Sequence, residues 1–120
     1  MSFIDQLGLT SQEIKQDIDK GDGVLIDVRE QEEVEEGHLA KTYWLALSEL
    51  SQAPEKFLEV IKKNFNSKNL YLYCRSGGRS GQACEFFKSQ GLNAFNIGGF
   101  EELSQEFDSK TGELDNRKIS

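Results

Sequence analysis

The chain is poor in the residues that crosslink small proteins through disulfides or metal ions. Its 120 residues include two cysteines, which do not make a disulfide scaffold, and one histidine, His38. Cys74 and Cys84 lack the C-x-x-C spacing that is typical of zinc sites. We therefore expect no metal and no cofactor.

The sequence also lacks a long apolar run, and no basic segment followed by an apolar one opens it. We therefore expect a cytoplasmic protein without membrane association. Positive charge is scarce, with 14 Lys and Arg against 21 Asp and Glu, and the net charge is −7. This balance argues against nucleic-acid binding, which requires a basic surface.

Short apolar runs alternate with helical patterns along the chain. The predicted strands cover residues 24–28, 42–47 (a second inner strand), 70–73 and 93–97. The predicted helices lie at residues 10–20, 30–36, from 54 onward, 81–90 and 100–103. This alternation predicts one α/β domain, residues 1–104, with a mainly parallel central sheet. Residues 105–120 are polar, which predicts a loosely ordered C-terminal tail.

One segment, residues 71–80, indicates a reactive thiol. An apolar strand ends in Cys74, and a loop with two glycines and two arginines leads into a helix. Backbone N–H groups in such a turn, together with those of the helix start, form an anion-binding site. Gly77 and Gly78 permit positive φ angles, and Arg75 and Arg79 add positive charge. We therefore predict that the pKa of Cys74 is lowered and that the thiolate is its reactive form.

Four motifs occur in the order and spacing of a single-domain rhodanese, and the resemblance covers residues 8 to about 103. They are Leu-Ile-Asp-Val-Arg-Glu at 25–30, Glu-Gly-His-Leu at 36–39, Cys-Arg-Ser-Gly-Gly-Arg-Ser at 74–80 and Ile-Gly-Gly-Phe at 97–100. The resemblance implies a three-layer rhodanese-like domain and a thiosulfate:cyanide-type sulfurtransferase. It implies that Cys74 is the nucleophile that carries a persulfide. It also implies that the following loop binds substrate and stabilises the persulfide, through Arg75, Ser76, Gly77, Gly78, Arg79 and Ser80.

The partners implied are a sulfur donor such as thiosulfate and a thiophilic acceptor, either cyanide or a thiol. Two other functions remain open. The chain could be a relay or regulatory module that receives sulfur from a donor protein docked on its acidic surface. It could also be a phosphatase-like enzyme. However, four residues separate Cys74 from Arg79, one fewer than in cysteine-dependent phosphatases of the related fold, and this favours sulfur chemistry.

The other polar candidates are assigned to the scaffold. We expect Asp27 and Arg29 to form a structural ion pair and His38 to anchor local backbone. Cys84, inside the predicted helix, is expected in the core. The division of work between Arg75 and Arg79 is open, with Arg79 the candidate for anchoring the loop to an acidic residue. The family's usual proline after residue 39 is replaced by Ala40, and Leu103 stands where a tryptophan is common.

Overall fold

A computed structural model describes residues 2–120. Its central sheet has four strands, all parallel, in the order β3-β1-β4-β5. In chain order these strands are β1 (Gly23–Asp27), β3 (Tyr43–Trp44), β4 (Asn69–Cys74) and β5 (Asn93–Gly99). A separate antiparallel pair is formed by β2 (His38–Leu39) and β6 (Ser109–Lys110). The predicted α/β domain with a mainly parallel sheet is therefore confirmed.

Helices cover both faces of the sheet, because alternate residues of each strand point to opposite sides. The helices are α1 (Phe3–Gln6), α2 (Ser11–Asp19), α3 (Gln31–Glu36), α4 (Leu47–Gln52), α5 (Pro54–Phe65), α6 (Gly78–Ser89) and α7 (Phe100–Leu103). One face packs apolar residues of α4, α5 and α6, and the other packs those of α1, α2 and α7. None of the helices within residues 2–120 is long and apolar enough to cross a membrane.

The predicted inner strand at residues 42–47 is wrong. Only Tyr43 and Trp44 form strand, and β3 lies at the edge of the sheet. The next residues still follow β1, because the N–H of Leu45 donates to the carbonyl of Asp27, at 2.9 Å. Helix α4 then begins at Leu47. Residues 42–47 are mostly apolar because they are buried or half-buried in the domain, and not because they form a strand with neighbours on both sides.

Two residues of the C-terminal segment, Phe107 and Ile119, are buried against the domain, although most of residues 108–118 are exposed. Ile119 is 4% exposed and belongs to the main apolar cluster, and its N–H donates to the carbonyl of Trp44. Strand β6 pairs with β2, and the Arg117 guanidinium stacks on the Tyr43 ring with 3.9 Å to its centroid. The segment thereby covers β3, whose outer backbone groups would otherwise be unpaired. The boundary after residue 104 stays a prediction.

Candidate active site

Cys74 ends strand β4 and lies below the first turn of α6. Its side chain is buried, at 1% exposure, on the face of the sheet that packs against that helix. Only residues 75–77 connect strand and helix, because α6 begins at Gly78, three residues earlier than predicted. Gly77 has a φ of +98°, as the sequence predicts, whereas Gly78 is already helical. The left-handed glycine turns the chain back over the sulfur within three residues.

Two donors point at the Cys74 sulfur. The backbone N–H of Gly77 lies 3.0 Å from Sγ, and the hydroxyl of Ser80 lies 3.3 Å from it. Ser80 reaches the sulfur because it stands in the first turn of α6, where the free N–H groups of the helix also face β4. From the sequence, Ser80 is expected to contribute only its backbone N–H to the loop. The structure shows that its side-chain hydroxyl is also a donor to the sulfur.

These donors set the acidity of the thiol. Burial is the strongest single influence and raises the pKa of Cys74. The Ser80 hydroxyl and the nearby backbone N–H groups of Ser80, Ser76 and Gly77 all lower the pKa of Cys74, and together they outweigh burial. The pKa of Cys74 therefore lies below its ordinary value, and dipoles account for this more than the charges of the two arginines do.

The two arginines of the loop differ in their surroundings. Arg79 forms a bidentate ion pair with Glu33 of α3, at 2.6 and 2.8 Å. Hydrogen bonding from this guanidinium is the main cause that lowers the pKa of Glu33 to about 2. Arg75 is exposed. Arg79 thus joins the start of α6 to α3, and Arg75 extends toward solvent beside the site.

An open cleft of about 320 Å³ lies next to the loop. It is lined by Arg29, Glu33, Glu36, Gly37, Arg75, Phe100, Glu101 and Ser104. Three of these residues are acidic. An anionic substrate entering here would meet Arg75 together with carboxylates that oppose its charge.

Asp27 and Arg29 form a buried ion pair at the end of β1, with Nη2 to Oδ2 at 2.7 Å. Arg29 also donates to the Gly37 carbonyl at 2.6 Å and lies over the Phe100 ring, 4.6 Å from its centroid. These contacts connect β1, the end of α3 and α7. The pair fixes the wall of the cleft, and neither residue contacts the sulfur.

His38 is 3% exposed, and its Nδ1 donates to the Val34 carbonyl at 2.9 Å. The bond holds β2 against the end of α3. Cys84 is also buried, at 6% exposure, in the middle of α6, and burial is the main cause that raises the pKa of its thiol. Both side chains are buried, as the prediction of a structural role for each residue requires.

Two further residues support the loop and were not found from the sequence. The Phe3 ring of α1 lies directly against the backbone of Gly77 and Gly98, where a side chain on either glycine would collide with it. Asn96 of β5 bonds to both Ser80 and Gly77. Phe3 carries no signal in the sequence, because it is remote along the chain. Asn96 stands directly before the fourth motif, which marked its neighbourhood but not its role.

Comparison with known protein families identifies the family of this domain. The family model of the Rhodanese-like domain matches residues 10–106. The chain therefore belongs to the rhodanese-like family.

Three similar proteins illustrate the relationship. "Putative sulfurtransferase YtwF" of Bacillus subtilis is 37% identical over 75 residues, 62% of this chain and 66% of that protein. "Putative thiosulfate sulfurtransferase, mitochondrial" of Schizosaccharomyces pombe is 32% identical over 83 residues, 64% of this chain and 57% of that protein. The solved structure of an E. coli rhodanese with anions superimposes with a TM-score of 0.62 at 25% identity, covering 75% of this chain and 99% of the other.

The chain thus spans less than two thirds of the length of these two curated relatives. The superposition on the E. coli structure confirms the three-layer rhodanese-like fold.

Proposed function

We propose that the protein is a sulfurtransferase that moves a sulfane sulfur from a donor such as thiosulfate to a thiophilic acceptor through a Cys74 persulfide. The observation that carries this proposal is the Cys74 sulfur itself, with two donors aimed at it and a lowered pKa. The names of the two curated relatives support sulfur transfer in general, and one of them names thiosulfate.

The chemistry needs an anionic sulfur and no proton acceptor. In the first half-reaction the Cys74 thiolate attacks the outer sulfur of thiosulfate. A bond forms between the two sulfurs, the bond to the inner sulfur breaks, and its electron pair leaves with sulfite. The product is a cysteine persulfide anion. Donors that stabilise the thiolate at Sγ are also placed to stabilise the negative charge of the persulfide.

In the second half-reaction the acceptor attacks the terminal sulfur of the persulfide. Cyanide would leave as thiocyanate, and a thiolate would leave as a persulfide, and each returns Cys74 to the thiolate. No net oxidation occurs, because the sulfane sulfur is passed on at its own oxidation level. The hydrogen-bond partners of Sγ within residues 2–120 include no histidine or carboxylate, as this mechanism allows.

Mass spectrometry of the intact protein tests the first half-reaction. Incubation with thiosulfate should add the mass of one sulfur atom, and Cys74→Ser should remove that gain. Cys84→Ser is the matched control and should still gain the sulfur. An unchanged mass of the parent protein at saturating thiosulfate would contradict the proposal.

The acidic cleft favours a second candidate function, a relay that accepts sulfur from a donor protein. Glu36 and Glu101 lie on the same cleft as Arg75, whereas the third acidic residue there, Glu33, is paired with Arg79. Such a rim opposes a free dianion more than a sulfur delivered by a basic protein surface. Loading of Cys74 by a cysteine desulfurase, with negligible thiosulfate:cyanide turnover, would favour the relay.

Hydrolysis of an aryl phosphate that Cys74→Ser abolishes would instead favour a phosphatase-like enzyme.

A further inference from the structure

Strand β5 carries an irregularity beside the loop. Leu72 of β4 pairs with Asn96, but the next residue, Tyr73, pairs with Gly98, so Ile97 is an extra residue in the ladder. Bulges of this kind redirect a neighbouring side chain and are frequent next to active sites. Here the side chain of Asn96 reaches the start of α6, where it bonds to Ser80 and Gly77.

The amide of Asn96 is fixed by two backbone groups. Its Oδ1 accepts from the N–H of Gly98 at 3.2 Å, and its Nδ2 donates to the carbonyl of Gly77 at 2.9 Å. Because one partner only donates and the other only accepts, the oxygen and nitrogen cannot be exchanged. Oδ1 therefore faces the Ser80 hydroxyl, at 2.7 Å.

The Ser80 hydroxyl has one proton and two acceptors. Asn96 Oδ1 lies 2.7 Å from its oxygen and the Cys74 sulfur lies 3.3 Å from it. When Cys74 is a neutral thiol, its S–H can donate to the Ser80 oxygen while the hydroxyl proton goes to Asn96. When Cys74 is a thiolate, the hydroxyl proton turns to the sulfur, because bonds to a charged acceptor are stronger. Asn96 Oδ1 keeps the Gly98 N–H in both states.

We propose that Asn96 is a positioning residue that holds the Ser80 hydroxyl in a two-way hydrogen bond, accepting from the Cys74 thiol and donating to its thiolate. The inference rests on the proposed function and deepens it, since it explains how a buried sulfur gains and loses charge without an unpaired polar group. The charged groups around the site belong to the loop, β1, α3, α6 and α7. They are Arg75, the pair Asp27 and Arg29, the pair Glu33 and Arg79, Glu36 and Glu101.

Asn96→Asp tests the inference. A carboxylate accepts the Ser80 proton more strongly than an amide does, and it has no donor for the Gly77 carbonyl. The midpoint of the pH dependence of Cys74 alkylation by iodoacetamide should rise by about one pH unit. Asn93→Asp is the control, since it adds the same charge at the exposed start of β5 and should leave the midpoint unchanged. Peptide mass spectrometry separates Cys74 from Cys84.

The route through Ser80 is tested in a second background. Ser80→Ala should itself raise the midpoint, Ser80→Thr should retain nearly the parental value, and Asn96→Asp should then shift the midpoint of Ser80→Ala by less than half as much. Equal shifts in both backgrounds would overturn the inference. A parental midpoint in Ser80→Ala, or in folded Asn96→Asp, would do the same. Alkylation requires no sulfur donor, so the expected midpoints without persulfide formation would count against the proposed function alone.

Discussion

The two cysteines have similar surroundings but differ in acidity. Cys74 lies just before α6, and Cys84 lies in the middle of that helix. Both side chains are almost fully buried in the same apolar cluster. Yet the pKa of Cys74 lies below its ordinary value and that of Cys84 above it. Burial favours the neutral thiol at both positions. The difference is therefore made by donors, which the first turn of a helix has free and its middle has used.

The largest expected effect is on the relative reactivity of the two thiols. At pH 7 iodoacetamide should alkylate Cys74 at least about tenfold faster than Cys84, because only the thiolate reacts. Peptide mass spectrometry gives both rates in one sample. In concentrated urea the local donors are lost and the ratio should fall toward one. A ratio near one in the folded protein would show that the donors do not control reactivity.

Displacing the Gly77 N–H from the sulfur should raise the pKa of Cys74 without affecting that of Cys84. In Gly77→Ala the new Cβ meets the Phe3 ring and the left-handed conformation becomes unfavourable. We expect a loss of about 2 kcal/mol or more in the free energy of unfolding. We also expect a higher midpoint for Cys74 alkylation, because the Gly77 N–H moves away from the sulfur. The midpoint for Cys84 should stay the same.

Gly91→Ala provides the matched control in urea denaturation. Gly91 also has a positive φ, +84°, but nothing lies within 4 Å of a Cβ placed there. This variant should lose only about 1 kcal/mol, from backbone strain alone, and should keep the Cys74 midpoint. Equal losses in the two variants would contradict the role given to Phe3.

The same contrast explains what could be predicted from the sequence. Cys74 and the left-handed Gly77 follow from a contiguous motif whose geometry is local. The early start of α6 was missed because glycines are poor helix formers, although Gly78 here opens a helix. Phe3 and Asn96 act from distant segments, and no local pattern joins them to the loop.

The anchoring of the C-terminal segment cannot be read from the sequence for a related reason. Its fixed position depends on a few apolar anchors, above all Phe107 and Ile119, set in a polar stretch without periodicity. Sequence patterns register average polarity, whereas the burial of single apolar side chains in a core formed by distant segments stabilises the position of a chain end. Contacts that need a tertiary partner were thus the ones beyond sequence reasoning.

The smallest expected effect is on the free energy of unfolding, through the ion pair between Arg79 and Glu33. Arg79 holds the pKa of Glu33 at about 2, against 4.5 ordinarily. A lowered folded-state pKa stabilises the protein above about pH 4.5, and this contribution is lost as the pH falls toward about 2. Glu33→Gln should therefore flatten the decline of the free energy of unfolding in that window, by at most about 1 kcal/mol because the pair is partly solvent-exposed. Urea denaturation at several pH values measures this.

Glu59→Gln, on the exposed side of α5, is the control for the Glu33 experiment and should keep the parental decline. The alkylation midpoint of Cys74 gives the second measurement. If dipoles rather than charges set its acidity, Glu33→Gln should move that midpoint far less than Ser80→Ala does, even though it frees the Arg79 guanidinium. A large downward shift would mean that the arginine charge, once released from Glu33, acts on the sulfur directly. The contrast between Cys74 and Cys84 would then depend on charge as well as on helix geometry.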